Sequence, residues 1–262
     1  CSHGATMASL NQDIVGRIEF LAPEIEEQRC IASILSAYDD LIENNTRRIA
    51  ILEEMARRMY EEWFVRFRFP SHEGVRMVES ELGLVPEGFR VGTVSTVAER
   101  TGRSINPAEA ATEEFEHYSL PAFDAGQRPI VESGEGIMSN KLLFDDEVVL
   151  LSKLNPRIPR IWTVTAKTAH RHICSTEFLP YKPKAPFTPW LLYLLFSSAP
   201  FQSGYAGRAM GTSTSHQRLR PADVDQIEVL VPSPELVAGA EEIVAPMLRL
   251  CERLRLMNSN LL

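Results

Sequence analysis

Cysteine is scarce in this chain. The four present, Cys1, Cys30, Cys174 and Cys251, are spread over 262 residues and form no CxxC pair. That spacing excludes a zinc finger and a disulfide-stapled scaffold, and it predicts free intracellular thiols. Long apolar runs are missing too. The longest, Trp190-Leu191-Leu192-Tyr193-Leu194-Leu195-Phe196, falls well short of the roughly 18 residues a membrane span needs. Cys1-Ser2-His3-Gly4-Ala5 lacks the charged start and apolar centre of a secretory signal, so a cytoplasmic location is expected. No Met opens the chain, which suggests a fragment.

Catalytic signatures are absent as well. There is no GxGxxG after a strand, no HExxH and no GxSxG. Gly207 to Gly211 followed by Thr212 has no phosphate-loop lysine. His170-Arg171-His172 sets two imidazoles on one strand face, but no third ligand lies near in sequence, so no metal site is expected. Asp145-Asp146-Glu147 has no following Glu-x-Lys and reads as a polar turn before a strand.

What is present is ordinary in bulk and uneven in detail. A hydrophobic content of 44% and a charged content of 24% fit one or two soluble globular domains. Acidic residues number 35 and basic residues 27, a formal charge of −8. Spread evenly, that balance argues against nucleic acid as a partner. It is not spread evenly. Residues 148–220 hold ten cations, Lys153, Arg157, Arg160, Lys167, Arg171, Lys182, Lys184, Arg208, Arg218 and Arg220, against the single anion Glu177. That block is +9 and the rest of the chain −17. It reads as a polyanion-binding face, with a solvated basic surface as the plain alternative.

Residues 24–65 read as one long helix. Pro23 stands near its start, Glu24, Glu26 and Glu27 favour the positive end of its dipole, and no Pro or Gly interrupts it before Pro70. Ile31, Leu35, Tyr38, Ile42, Asn45, Ile49, Leu52, Ala56, Met59 and Trp63 step by alternating four and three, the spacing of a two-helix seam. At 1.5 Å per residue such a helix is about 60 Å long, which suits a spacer better than a small core. Asn45 either fixes the register of that seam or tolerates exposure.

Pro and Gly then punctuate the chain from Pro70 to Gly88. An α/β region follows. Strands are expected at Glu147–Leu151, Arg160–Val164 and Glu177–Tyr181, and a helix capped by Thr188 is expected through Phe196. A second long helix spans about Pro234–Leu262, with seam positions Ala240, Val244, Met247, Cys251, Leu254, Asn258 and Leu261. Pro246 demands a kink or a start there. An internal repeat precedes both helices: Ile18-Glu19-Phe20-Leu21-Ala22-Pro23 matches Ile227-Glu228-Val229-Leu230-Val231-Pro232 at an offset of 209. Leu10 and Val15 match Leu219 and Val224 at the same offset.

Two loops in the basic block carry the groups that contact nucleic acid. Ser152-Lys153-Leu154-Asn155-Pro156-Arg157 offers hydroxyl, ammonium, amide and guanidinium groups. Gly207-Arg208 through Ser213-Thr214-Ser215-His216-Gln217-Arg218 offers small hydroxyls, Arg and Gln. Ser, Thr and backbone N–H groups bind phosphates, and Arg, Gln and Asn read base edges. The alternative for either loop is a solvated turn. The candidate DNA contacts are Ser152, Lys153, Asn155, Arg157, Arg160, Arg208, Ser213, Thr214, Ser215, His216, Gln217 and Arg218. The candidate helix-pairing residues are Leu35, Tyr38, Ile42, Asn45, Ile49, Leu52, Met59, Met247, Cys251 and Leu254.

Several stretches together resemble the DNA specificity subunits of Type I restriction–modification systems. One is Leu21-Ala22-Pro23-Glu24-Ile25-Glu26-Glu27-Gln28-Arg29 with Ile31 to Ile42 after it. Another is Ile49 to Ala56 running into Glu62-Trp63-Phe64-Val65-Arg66-Phe67. Asp146 to Pro156, Ser175 to Leu179, and Gly211-Thr212…His216 leading to Ile227…Pro232 add to it, so the likeness covers nearly all of residues 4–262. The resemblance implies an α/β (α+β) fold: a globular recognition domain with a mixed sheet, plus long coiled-coil-like helices that pair antiparallel. It assigns residues 1–23 to the terminal strand of a preceding recognition domain, 24–69 to the spacer helix, 70–233 to a target-recognition domain, and 234–262 to a truncated distal helix.

The resemblance further implies a non-catalytic subunit reading one half of a split site in double-stranded DNA. Its expected partners are methyltransferase subunits, which hold S-adenosylmethionine, then a restriction/translocase subunit, and a second copy of this chain through the long helices. It implies no cofactor of the chain's own and no membrane. Contact residues vary in that family and are not carried over; those named above rest on charge and loop chemistry. Two other readings remain: a helix-mediated interaction scaffold that reads no DNA, and an enzyme in its own right.

Overall fold

The computed structural model describes residues 12–19, 21–145, 147–165, 168–209 and 217–261. Strands run β1 Met77–Ser80, β2 Gly83–Pro86, β3 Arg90–Thr93, β4 Ala98–Arg100, β5 Arg103–Ile105, β6 Glu114–Tyr118, β7 Ile130–Ser133, β8 Lys141–Phe144, β9 Val148–Ser152, β10 Ile161–Val164, β11 Arg171–Ser175, β12 Phe178–Pro183 and β13 Glu228–Val231. Helices are α1 Gln12–Val15, α2 Ile25–Tyr60, α3 Val94–Val97, α4 Leu120–Asp124, α5 Pro189–Ser197, α6 Ala199–Gly207, α7 Pro221–Asp225 and α8 Pro234–Leu261. The chain forms two compact units, Cys1–Asn44 and Asn45–Leu262, with the boundary inside α2. The fold is mixed α/β, with several sheets and long helices.

In the larger unit, a four-stranded antiparallel sheet ordered β10-β9-β12-β4 forms the centre. β9 is Val-Val-Leu-Leu-Ser and is buried on both faces. Side chains alternate across a strand, so its two faces feed two cores. Val149 and Leu151 join Leu179, Tyr181 and the helices α5 and α6. Val148 and Leu150 join Trp162, Phe178, and Tyr118, Phe144 and Cys174 of a five-stranded sheet. That second sheet is ordered β5-β8-β11-β6-β7, with β11 and β6 parallel. α5 carries Trp190, Leu191, Leu192, Leu194, Leu195 and Phe196, all buried. A helix apolar around its circumference fits only where it is enclosed. Thr188 starts it as expected, its hydroxyl accepting from the Leu191 N–H at 3.3 Å, with Pro189 in the first turn.

The expected helix over 24–65 divides in two. α2 is regular from Ile25 to Tyr60, and Glu61–Val65 widen into a π turn. Tyr60 and Phe64 pack as tilted rings 4.9 Å apart within the main core, and Trp63 packs against it. Trp63 also lies over Gly239 of α8, where a Cβ would come within 3.8 Å of its ring. α8 continues unbroken through Pro246.

From Asn45 onward, α2 packs antiparallel on α8. The Asn45 side-chain amide donates to Asn258 Oδ1 at 2.8 Å. Ile49, Cys251 and Leu254 form a buried cluster with Leu52 and Leu250 against it. Arg255 donates to Glu53 at 2.5 Å. Met59 and Met247 pack on the main core. In the smaller unit, α2 carries Leu35 and Tyr38 exposed and Ile42 half-buried. Gln28 closes the helix start there by donating to the Pro23 carbonyl at 2.7 Å.

The repeat is only partly matched in structure. α1 and α7 lie at the repeat offset, and Glu228–Val231 pairs antiparallel with β3. Ile18, Glu19 and Leu21–Pro23, expected as part of a terminal strand, lie in no strand. A strand needs a ladder partner to persist, and β13 has one.

Two carboxyls anchor α8 to the domain. Glu241 accepts from the Thr188 hydroxyl at 2.5 Å, and Glu252 from the Thr165 hydroxyl at 2.8 Å. Burial raises both above the ordinary carboxylate range. The folded chain therefore holds these protons more tightly than the unfolded chain, and stability falls as pH rises from the ordinary value through the raised ones. The double variant Glu241→Gln, Glu252→Gln is expected to melt higher than the native chain at neutral pH. The difference should vanish below about pH 4, where both folded and unfolded carboxyls are protonated. Thermal melts at two pH values test this; a gain of equal size at both would exclude ionisation as its cause.

Candidate nucleic-acid interface

The two loops singled out by their chemistry meet. β9 ends at Ser152, and the chain turns through Lys153–Ile158 before β10. The Asn155 N–H donates to the Gln217 carbonyl at 2.9 Å, and the Leu219 N–H to the Lys153 carbonyl at 3.1 Å. Leu154 and Arg218 form an isolated antiparallel bridge between these bonds. A third segment joins through Lys153 N–H, which donates to the Glu177 carbonyl at 2.9 Å. Tyr205 of α6 donates its hydroxyl to the Ser152 carbonyl at 2.5 Å, fixing the helix that ends beside Arg208.

Within this junction the candidate residues take different parts. Ser152 is buried and its hydroxyl is engaged with the Leu154 backbone at 3.3 Å, so it shapes the turn. Asn155 adopts φ +50°, a left-handed conformation that Asn tolerates better than most residues. Its Oδ1 is buried with no hydrogen-bond partner among the described residues. A buried acceptor left without a donor is uncommon. Arg157 is exposed at the turn, and Lys153 and Gln217 are half-buried. Arg208 is exposed and donates to the Gly204 carbonyl at 3.1 Å, which closes the end of α6. Ser213, Thr214, Ser215 and His216 lie outside the described residues.

The fold also redistributes the charge. Arg160 is engaged by Asp124 through two bonds of 2.7 and 2.9 Å and is mostly covered. The hydrogen bond from Arg160 holds the Asp124 carboxyl below its usual range. Arg218 pairs with Glu177 at 3.0 Å. Arg171 pairs with Glu113 at 3.0 Å and lies over the Phe115 ring. The +9 block is therefore partly neutralised by acids folded onto it. Among the described residues, Lys153, Arg157, Lys182, Lys184, Arg208 and Arg220 are not in these ion pairs. Two of them, Lys153 and Arg157, belong to the loop junction, and Arg208 ends α6, the helix that Tyr205 ties to the Ser152 carbonyl.

The linear charge count missed the acids that return to the basic block. Asp124 and Glu113 sit 36 and 58 residues from their partners, and no local pattern signals such pairings. Among the described residues, no group of three or more His, Cys, Asp or Glu side chains is placed to hold a metal ion. No helix among them is long and apolar enough to cross a membrane.

No established family profile matches the chain. Along 94% of its length it is 24% identical to the Type I restriction enzyme MjaIX specificity subunit of Methanocaldococcus jannaschii, covering 57% of that protein. Over 84 residues it is 32% identical to the putative type I restriction enzyme MjaX specificity subunit of the same organism, covering 32% of this chain and 19% of that one. Its fold is similar to the crystal structure of the Type-I restriction-modification system S subunit from M. genitalium. The TM-score is 0.55 at 17% identity, over 99% of this chain and 64% of that one. The chain thus spans a little over half the length of the curated relative it matches throughout.

Proposed function

We propose that this chain, which belongs to the specificity subunits of Type I restriction–modification systems, reads one half of a split site in double-stranded DNA. Residues 70–233 are the recognition domain in this reading. The observation that carries it is the junction of the two polar loops, which brings Lys153, the exposed Arg157 and the under-bonded Asn155 together with Gln217 and Arg218. Cations position the phosphates, and Asn155 and Gln217 are the groups suited to base edges. In sequence, Ser213, Thr214, Ser215 and His216 directly precede Gln217 and add hydroxyl and imidazole groups to this reading.

The chain is a recognition subunit without chemistry of its own. Methyltransferase subunits carry S-adenosylmethionine and modify the site, and a restriction/translocase subunit completes the complex. The resemblance and the shared fold support this assembly. Two copies pair through the long helices and present two half-sites at a set spacing, a geometry that dimeric DNA readers share. The exposed Leu35 and Tyr38, on the same helical seam as Ile49, support that pairing. A Leu35→Lys, Tyr38→Lys variant should then sediment as a monomer where the native chain sediments as a dimer; a native monomer at high concentration would remove the pairing.

Duplex binding is expected to weaken steeply with salt. With about five phosphates neutralised, log K falls against log salt with a slope near −4.5. Anisotropy titrations of a random-sequence duplex measure it. A flat response, or no binding at low salt, would leave the scaffold reading in its place.

A further inference from the structure

A second concave site lies away from the loop junction. A cavity of about 510 Å³ opens between β10, the turn following α4, and α8. β10 pairs Ile161 with Leu151 beside the junction and Val164 with Val148 at its other end, and the cavity reaches residues Val164, Thr165 and Thr168. The two sites are thus at opposite ends of one strand. Its volume lies in the range of small-ligand sites.

The walls and the rim differ in kind. Trp162, Trp190 and Tyr193 supply flat apolar surface. Glu252 faces the cavity from α8 with few donors. Its two oxygens share one Thr165 hydroxyl, at 2.8 and 3.1 Å, and that hydroxyl has a single proton to give. Two cations, Arg249 and Arg255, lie near it, neither hydrogen-bonded to it, and Arg255 is occupied by Glu53 at 2.5 Å. A partly buried carboxyl so poorly served has acceptor capacity left for a ligand's N–H groups. At the rim stand Arg128 and Arg253, both exposed, and neither is in an ion pair among the described residues. Of the three carboxylates lining the cavity, Glu53 is taken by Arg255 and Glu116 by Tyr118 and Thr168, so apolar rings inside, the under-served Glu252 at depth and two guanidinium groups outside match a flat amine-bearing ring with an anionic tail.

We propose that this cleft binds a free nucleotide whose base carries an exocyclic amine, with the ring between Trp162 and Tyr193, the amine donating to Glu252, and the phosphate at Arg128 and Arg253. Aromatic faces take a base without regard to its identity. Glu252 supplies the discrimination, because a base with a carbonyl at that edge sets oxygen against oxygen. The site is independent of the duplex-reading loops, so neither reading stands or falls with the other.

Adenosine and uridine monophosphates are the probes, titrated into the full chain by calorimetry with tryptophan fluorescence in parallel. Adenosine monophosphate is expected to bind about tenfold or more tighter than uridine monophosphate, the margin of one good hydrogen bond to a charged group. Glu252→Ala should erase that preference. Arg128→Ala with Arg253→Ala should weaken both nucleotides by about tenfold and bring adenosine monophosphate to the level of adenosine, since both changes remove phosphate contacts. Failure of the native chain to bind adenosine monophosphate, or equal affinity for the two nucleotides, overturns the proposal. So does an unchanged preference in a folded Glu252→Ala chain. Should that variant not fold, the exposed arginine pair decides: unaltered discrimination between adenosine and its monophosphate rejects the site.

Discussion

Replacing Lys153, Arg157 and Arg208 together by Ala is expected to flatten the salt dependence of duplex binding, lowering the magnitude of its slope by about 2.7. Each neutralised phosphate contributes about 0.9 to that slope through counterion release, and three contacts are removed. The loss of affinity is therefore largest at low salt and shrinks as salt rises. All three side chains are outside the ion pairs of the domain, so their removal leaves no buried acid unpaired. Arg160→Ala is the informative contrast. Asp124 takes two hydrogen bonds from that guanidinium, which is 14% exposed. A cation so engaged is not available to a phosphate without first breaking its pair. The Arg160 variant should keep the full slope and lose some thermal stability. Anisotropy titrations between about 50 and 200 mM salt read both. A triple variant with the native slope would remove the junction as the interface. An Arg160 variant with a reduced slope would mean that DNA displaces Asp124.

That contrast marks where sequence reading succeeded and where it stopped. Local signals were dependable. Thr188 and Pro189 begin α5, and the run Val148–Ser152 forms a strand, because capping and strand burial act over a few residues. The seam positions Asn45, Ile49, Cys251 and Leu254 were legible by their spacing, and Asn45 finds a polar partner in Asn258. The two loops were visible as chemistry but not as neighbours. Asn155 and Gln217 stand 62 positions apart in the chain, and only the fold joins them. The charge block misled for the same reason, since Arg160 and Arg171 meet acids that the linear count placed outside the block. Glu252 gave no sign at all. On a helix with a 4/3 pattern it reads as one more surface acid, and its partial burial follows from where α8 meets Thr165.

Leu254→Ala is expected to cost about 2–4 kcal/mol, the usual result of deleting a buried leucine side chain. Leu254 is 3% exposed and packs in one cluster with Ile49 and Cys251, with Leu52 and Leu250 against it. Truncation removes that burial and leaves a cavity between two helices already held by other contacts, so relaxation is partial. For a unit of this size the midpoint should fall by roughly 5–15 °C in a thermal melt. Leu35→Ala, on the same seam but 58% exposed in the smaller unit, should stay within about 0.5 kcal/mol in the isolated chain. The two leucines have the same sequence signal, so the difference isolates burial from pattern. Asn45→Ala adds a further separation. It leaves the Asn258 side chain without its 2.8 Å donor and costs about 1–2 kcal/mol. Changing both Asn45 and Asn258 to Leu restores burial and removes the polar pair that fixes register. Such a chain should melt higher than the Asn45 variant. If the polar pair sets the register, its cysteine cross-links between α2 and α8 should form at more than one offset. Cross-linking at a single offset would mean that Ile49, Cys251 and Leu254 set the register by shape alone.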